Sequence, residues 1–300
     1  MNEKEQIFRK YLTLETVAYC QNELAWEKEK KFLDDLEKAC KENGVQLLNL
    51  NQGNESLKEI LQTQKIHLET TLLITTCENW ITQAKNLPVA VAVPVDASEN
   101  SCCQKADMLI EGFEEIDLAF LDRIMKRKQK LPWITVITPR CILREITLGD
   151  LDALYEIYAE PGITDFTEPL YESRGEEEEY TRHYIEKMYG FYGYGMWVVT
   201  EKQTGQIIGR AGFAHQDLGK EIVLEMGYLI AKPWQRKGIA TEVIQKLLQF
   251  ARKNLEFEEI HCFVYPQNTA SEELLEKLGF QSRETVIIKG KKMQDYWLQL

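Results

Sequence analysis

The sequence predicts a two-domain α/β protein, with a Rossmann-like parallel α/β module in residues 1–138 and an α+β domain in residues 139–300. Three observations predict it. The first half alternates short apolar runs with helix-like stretches, the pattern of a parallel sheet covered on both faces. The second half has the order β-α-α-β-β-β-α-β-α-β-β, with hairpin turns between several of its strands. The two patterns are separated by Arg127 to Pro139, a basic stretch that passes through Leu131-Pro132-Trp133 and reads as the linker, with a strand-like Ile134 to Ile137 inside it.

In the first half, residues 1–43 are charged and helix-forming. Leu24, Lys28-Glu29, Phe32-Leu33, Leu36 and Ala39-Cys40 keep a rough helical face, and Asn43-Gly44 closes it, since Gly tolerates the left-handed conformation of a helix C-terminus. Val45 to Leu50 reads as a strand and Asn54 to Gln64 as a helix with Leu57, Ile60 and Leu61 on one side. Thr71–Thr76 and Val89–Pro94 are strands, separated by a short helix over Asn79–Asn86. A strand at Asp107–Ile110 and a helix over Asp117–Lys130 complete the module. Its TLLITT and ADMLIEGFEEID segments resemble the later part of a haloacid-dehalogenase-like α/β domain. That family places an Asp-x-Asp pair after its first strand, and residues 1–138 contain none, nor a P-loop or G-x-G-x-x-G. The module is therefore expected to be non-catalytic.

The second half begins with a strand at Cys141–Arg144. Leu151, Leu154, Tyr155 and Tyr158 share one face of the next helix. A loop over residues 160–172 leads to a helix from the acidic run Glu176–Glu179 to Met188. Strands follow at Met196–Thr200 and Ile207–Ala214, joined by a hairpin turn at Gln203-Thr204-Gly205. Val223 to Ile230 is a buried strand, broken at Lys232-Pro233 because Pro has no N–H for a ladder. Apolar residues at 243, 244, 247, 248 and 251 have helical period. A strand at Glu259–Tyr265, a helix over Thr269–Leu278 stopped by Gly279, and a hairpin turning at Lys289-Gly290-Lys291 finish the chain.

The stretch from Glu221 to Asn254 organises this half. Between its strand and its helix lies Gln235-Arg236-Lys237-Gly238-Ile239-Ala240. A bend at a helix start leaves backbone N–H groups unpaired, and the helix terminus adds partial positive charge. With Arg236 and Lys237 it forms an anion site suited to a diphosphate. The segment resembles the coenzyme-A signature Q/R-x-x-G-x-G/A of the GNAT superfamily of N-acetyltransferases, and the end of the domain resembles the RimJ/RimL-like branch. The resemblance implies a mixed, mostly antiparallel sheet and transfer of an acetyl group from acetyl-CoA to a primary amine in a ternary complex. It also implies coenzyme contacts from Tyr228, Leu229 and Ile230 at the strand end, from Gln235, Arg236, Lys237, Gly238, Ile239, Ala240 and Thr241 in the turn, and from Asn268. Asn268 is equally suited to cap the following helix.

Acetylating an alkyl ammonium requires a base, because its pKa is about 10.4. Glu225 is the candidate: a lone carboxylate inside an apolar strand is costly unless it is hydrogen-bonded or functional. His215, just after the preceding strand, is the alternative. For the acid that protonates the leaving thiolate, many GNAT enzymes place a Tyr seven residues after the Asn. That position is Leu275 here, and Ser271 is the substitute candidate. The acceptor pocket is expected from residues 160–172, the aromatic Tyr189–Trp197 segment and the final hairpin.

The composition, 44% hydrophobic and 28% charged, is that of a soluble globular chain with proper cores. The net charge is -12 and both halves are acidic, which argues against nucleic acid as a partner. No apolar run approaches a membrane span and MNEKEQIFRK has no signal-like core. Seven cysteines without a C-x-x-C pair point to a reduced, cytoplasmic protein with no metal site. The expected acceptor is a small-molecule amine or a protein N-terminus, and a homodimer is kept open. A coenzyme-A-binding sensor without turnover is the alternative, and a phosphatase with an appended acetyltransferase domain is disfavoured by the missing Asp-x-Asp.

Overall fold

Short β-branched and apolar runs build the sheet of the first unit, Met1–Leu131. The computed structural model describes residues 9–20, 30–50, 56–95, 103–114, 116–219 and 221–300. Thr16–Tyr19 (β1), Gln46–Asn49 (β2), Thr71–Ile74 (β3), Ala90–Pro94 (β4) and Met108–Ile110 (β5) form a parallel sheet in the order β2-β1-β3-β4-β5. Every residue of β3 and β4 is buried, which requires cover on both faces. Lys30–Asn43 (α1) and Leu118–Lys128 (α4) supply one cover, packing Phe32, Leu36 and Leu121 against Leu72 and Ile74. Leu57–Thr63 (α2) and Glu78–Ala84 (α3) supply the other, packing Leu57, Leu61 and Trp80 against Leu73 and Val91.

The sequence expectation of an all-helical start is corrected here, because β1 is a buried strand pairing with both β2 and β3. It is pinned by a buried ion pair. Asp122 Oδ1 accepts the N–H groups of Thr13 and Leu14, while Lys126 Nζ bonds Asp122 at 2.7 Å and donates to the Tyr11 carbonyl. Leu24, Lys28, Glu29 and Asn54 lie outside the described residues.

The second unit is Pro132–Leu300. The sequence placed the division after residue 138, with Ile134–Ile137 in a linker. Instead Ile134–Ile137 (β6) pairs antiparallel with Cys141–Arg144 (β7), so it belongs to the second sheet. A tight turn makes this pairing local: Thr138 N–H donates to the Cys141 carbonyl at 2.8 Å. The remaining strands are Met196–Glu201 (β8), Ile207–Asp217 (β9), Ile222–Ile230 (β10), Glu259–Val264 (β11), Gln281–Ile288 (β12) and Lys291–Gln299 (β13), in the order β12-β13-β11-β10-β9-β8-β7-β6. Leu151–Tyr158 (α5), Arg174–Tyr184 (α6), Ile239–Asn254 (α7) and Thr269–Lys277 (α8) complete the unit.

β10 carries the site, and its two neighbours differ. It pairs antiparallel with β9 in unbroken register from Ile222↔Asp217 to Ile230↔Gly209. With β11 it is parallel and shares one register pair, Glu225↔His261. Beyond that pair the strands form a fork. Leu224, Met226 and Ile230 are buried with Val243, Ile244, Leu247 and Leu248 of α7. Each such side chain contributes roughly 1.5–3 kcal/mol, enough to fix the face that β10 presents. After α6 the helix widens into a π-helical segment, Ile185–Tyr192, where the sequence placed the end of a regular helix and an aromatic loop. Such widenings are frequent at functional sites.

Candidate active site

The turn after β10 is built to present backbone N–H groups. Gln235 Nε2 donates to the Ile230 carbonyl at 2.7 Å, closing the loop on the strand end. Arg236 and Gly238 both adopt the left-handed region, at φ 60 and 76°, on either side of Lys237. Alternation of this kind makes a concave nest of N–H groups that suits an anion. The Lys237 carbonyl is held by Arg140 Nη1 at 2.8 Å. Arg140 is itself fixed by Glu242 of α7, through Nε at 2.7 Å and its own N–H at 2.8 Å, and Thr138 Oγ1 donates to the same carboxylate. Burial raises the Glu242 pKa, but the hydrogen bonds from Thr138 and Arg140 outweigh it, so the carboxyl lies below its ordinary range.

A cavity of about 680 Å³ opens on this turn. Tyr228, Leu229 and Ile230 line it from β10, and Gln235, Arg236, Gly238, Ile239, Ala240 and Thr241 from the turn and the start of α7. Asn268 and Ser271 line it from α8, and Gly162, Ile163, Asp165, Phe166 and Thr167 from the loop after α5. Of the coenzyme residues expected from sequence, Lys237 alone is absent from this lining; its ammonium lies 5.2 Å over the Trp234 ring. Asn268 also N-caps α8, accepting the Ser271 N–H at 3.3 Å, so its side chain serves the helix as well as the cavity wall. The volume lies within the range of about 300–1,000 Å³ usual for ligand pockets. The nest suits a diphosphate, and the free edge of β10 past Glu225 suits a ligand that bonds main chain, so the residues present fit coenzyme A.

Glu225 sits where the fork closes. It is half-buried, and burial raises its pKa; Lys289 counteracts this and Glu168 reinforces it. It makes no hydrogen bond or ion pair among the described residues. Its register partner His261 is fully buried between Asp295, at 2.9 Å, and Glu259, at 3.1 Å. Burial lowers the His261 pKa, but these two carboxylates raise it further than burial lowers it. His215 lies elsewhere, with Nε2 2.6 Å from the Tyr194 hydroxyl, and does not line the cavity.

Ser271 faces a group considered at the sequence level only for its backbone. The Tyr228 hydroxyl is buried beside Ser271 and lacks a hydrogen bond of normal geometry, and burial raises its pKa strongly. Its signal was the alternation of β10: a Tyr sharing a face with Leu224 and Met226 must bury its hydroxyl. Leu275 is fully buried in the core, so that position offers no proton donor. Arg210 was also missed. It is half-buried, its Nε is enclosed without a partner, and tyrosines surround it. Among the described residues, no group of His, Cys, Asp and Glu could hold a metal ion.

Comparison with known proteins decides the family. Residues 140–281 match the family described as Acetyltransferase (GNAT) domain. The uncharacterized N-acetyltransferase YoaA of Bacillus subtilis (strain 168) is 31% identical over 150 residues, 48% of this chain and 81% of that protein. The chain belongs to the GNAT acetyltransferase family. As a GNAT protein it is an acyltransferase. The ribosomal protein uS5 alanine N-acetyltransferase of Escherichia coli (strain K12) is 24% identical over 177 residues, 55% of this chain and 89% of that protein. The uncharacterized protein YkkB of Bacillus subtilis (strain 168) is 28% identical over 95 residues, 32% of this chain and 55% of that protein. The haloacid-dehalogenase likeness of the first unit draws no support from these matches.

Proposed function

We propose that this GNAT protein transfers the acetyl group of acetyl-CoA to a primary amine by direct attack, with both substrates bound together. The observation that carries the proposal is one continuous strand end. β10 passes from Glu225 at the fork to Tyr228–Ile230 in the cavity wall, and then into the N–H nest at 236–238. Bound acetyl-CoA supplies an acyl thioester activated for attack. The nest and the first turn of α7 hold the diphosphate, and the main chain of Tyr228–Ile230 holds the pantetheine. A strand-end N–H of β10 serves as donor toward the thioester oxygen. The Glu225 carboxylate accepts the ammonium proton; its raised pKa brings it nearer the operating pH, where a general base is most effective. Ser271 and Tyr228 stand on the cavity side as the proton source for the thiolate.

The acceptor in this reading is a small-molecule amine or a protein N-terminus; the relative from Escherichia coli is named for acting on the alanine of ribosomal protein uS5. Among the described residues Cys40, Cys141 and Cys262 form no disulfide, which accords with a cytoplasmic setting. Among the described residues no helix is long and apolar enough to cross a membrane.

The test is calorimetric titration of the full chain with acetyl-CoA and with CoA, followed by thiol release across a library of amines. Binding at about micromolar levels (near 8 kcal/mol) and release with at least one amine are expected. Binding without release from any amine would leave a coenzyme-A sensor, and absent binding would remove the reading altogether.

A further inference from the structure

The acceptor's second functional group is written into the opposite face of the sheet. Arg210 lies on β9 opposite Leu229, whose strand end lines the cavity. Its neighbours Ala211 and Phe213 point into the core, with the Phe213 ring against Phe250 of α7. Alternation therefore turns Arg210 to the other face, the one that carries Leu229 and Glu225. Glu225 and Leu229 are four residues apart, about 13 Å along the strand. Arg and Glu side chains are long enough to shorten that span where they lean toward each other.

Arg210 is a fixed cation without a counter-ion. It makes no ion pair among the described residues, and its buried Nε has no hydrogen-bond partner. The groups acting on it most strongly are the Tyr158, Tyr189 and Tyr184 hydroxyls. Two of these oxygens are committed elsewhere: Tyr184 accepts the Met196 N–H at 2.6 Å and Tyr189 donates to the Met196 carbonyl at 2.5 Å. An enclosed guanidinium edge left unpaired is costly, and a planar oxyanion is the ligand whose geometry it matches. Tyr180, half exposed, feels both Arg210 and Lys289, and Lys289 in turn pairs with Glu168 at 3.0 Å and acts on Glu225. One cluster thus joins the cation to the candidate base. Glu177 acts on Tyr180 and Glu168 on Glu225, and this nearby negative charge disfavours a dianion and leaves a monoanionic carboxylate as the match.

We infer that Arg210 anchors a carboxylate of the acceptor, so that the amine acetylated belongs to an amino-acid-like zwitterion whose ammonium lies toward Glu225. This rests on the acetyltransferase reading above. The experiment measures thermal stabilisation of the CoA-saturated full chain by the standard free amino acids and by their carboxamides. At least one acid is expected to stabilise while its amide does not. In Arg210→Gln that acid should bind roughly tenfold more weakly or worse, as the loss of a hydrogen bond to a charged group requires. CoA titration of the same variant should be unchanged. Equal effects of acids and amides, no effect of any acid, or an acid preference retained in R210Q would each overturn the inference. The wild-type comparison of acid with amide stands even where R210Q fails to fold. Loss of CoA binding in the wild type is a separate result and would remove the acetyltransferase reading instead.

Discussion

Replacing Gly238 by alanine separates the N–H nest from the rest of the fold. Gly238 has φ +76°, and an added Cβ would meet only Arg140 Nη2, at 3.6 Å, an ordinary contact. The cost is therefore conformational, about 1–2 kcal/mol for an L-residue in the left-handed region. For a unit of this size that lowers the melting midpoint by roughly 2–8 °C. Gly205, in the turn between β8 and β9, is the matched control: φ is +74°, nothing lies within 4 Å of its added Cβ, and it does not line the cavity. Both variants should lose similar stability. Only G238A should also lose coenzyme, because relief of the strain re-aims the N–H groups at 236–238. A weakening of about tenfold, near 1.4 kcal/mol, is expected by calorimetry. The loss should be the same for CoA and acetyl-CoA, since both carry the diphosphate. Wild-type affinity in G238A, beside a midpoint that falls with G205A, would refute the nest as the diphosphate site.

Glu225→Gln should lower kcat/KM by about 10²–10⁴, the usual contribution of a positioned base. The acidic limb of the wild-type pH profile should lie above the ordinary Glu pKa of 4.5 and vanish in the variant. Because its folded pKa is raised, the Glu225 contribution to stability is present below the unfolded pKa and lost as pH rises through the folded one. E225Q should thus melt with the wild type near pH 4 and above it near pH 7. Glu242 has the opposite sign: its pKa is lowered, so its stabilisation is present above the unfolded pKa and lost on acidification. With Arg140 partly exposed, E242Q should cost about 1 kcal/mol at neutral pH and weaken acetyl-CoA, read by melting and calorimetry. Tyr228→Phe should leave the midpoint unchanged or raised, since its hydroxyl is orphaned, while lowering kcat by about tenfold with KM for acetyl-CoA unchanged.

The parts of the site that were legible in the sequence are local. Pro233 ends β10, Gly238 permits the left-handed cap, and the 243–251 spacing gives α7 one buried face; each acts within a few residues of itself. Glu225 was conspicuous because it interrupts an apolar run. What the sequence did not show depends on distant partners. Thr16–Tyr19 becomes a strand because β2 and β3 flank it. Ile134–Ile137 looked like a linker because its partner lies across a turn that the composition does not mark. Arg210 and His261 sit in strands with nothing in the local pattern to distinguish them, and their settings arise only when tyrosines from α5 and α6, or Asp295 from β13, pack beside them.

The fork explains why coenzyme and acid–base candidates share one strand. Two fully paired neighbours would consume every N–H and C=O of β10 and leave nothing for a ligand. With β11 the register stops at Glu225↔His261, so Tyr228 to Ile230 keep one unladdered edge. The same divergence leaves Glu225 at the closing point, buried enough to raise its pKa yet free of hydrogen bonds that would lower it. Alternation then assigns sides: Glu225, with Leu229 and Arg210, faces away from α7, while Tyr228 turns toward Ser271. In the proposed reaction, proton acceptance and proton donation thereby fall on opposite faces of a single strand. A substitution that closed the fork by extending the β10–β11 ladder would remove both functions at once, however well it stabilised the sheet.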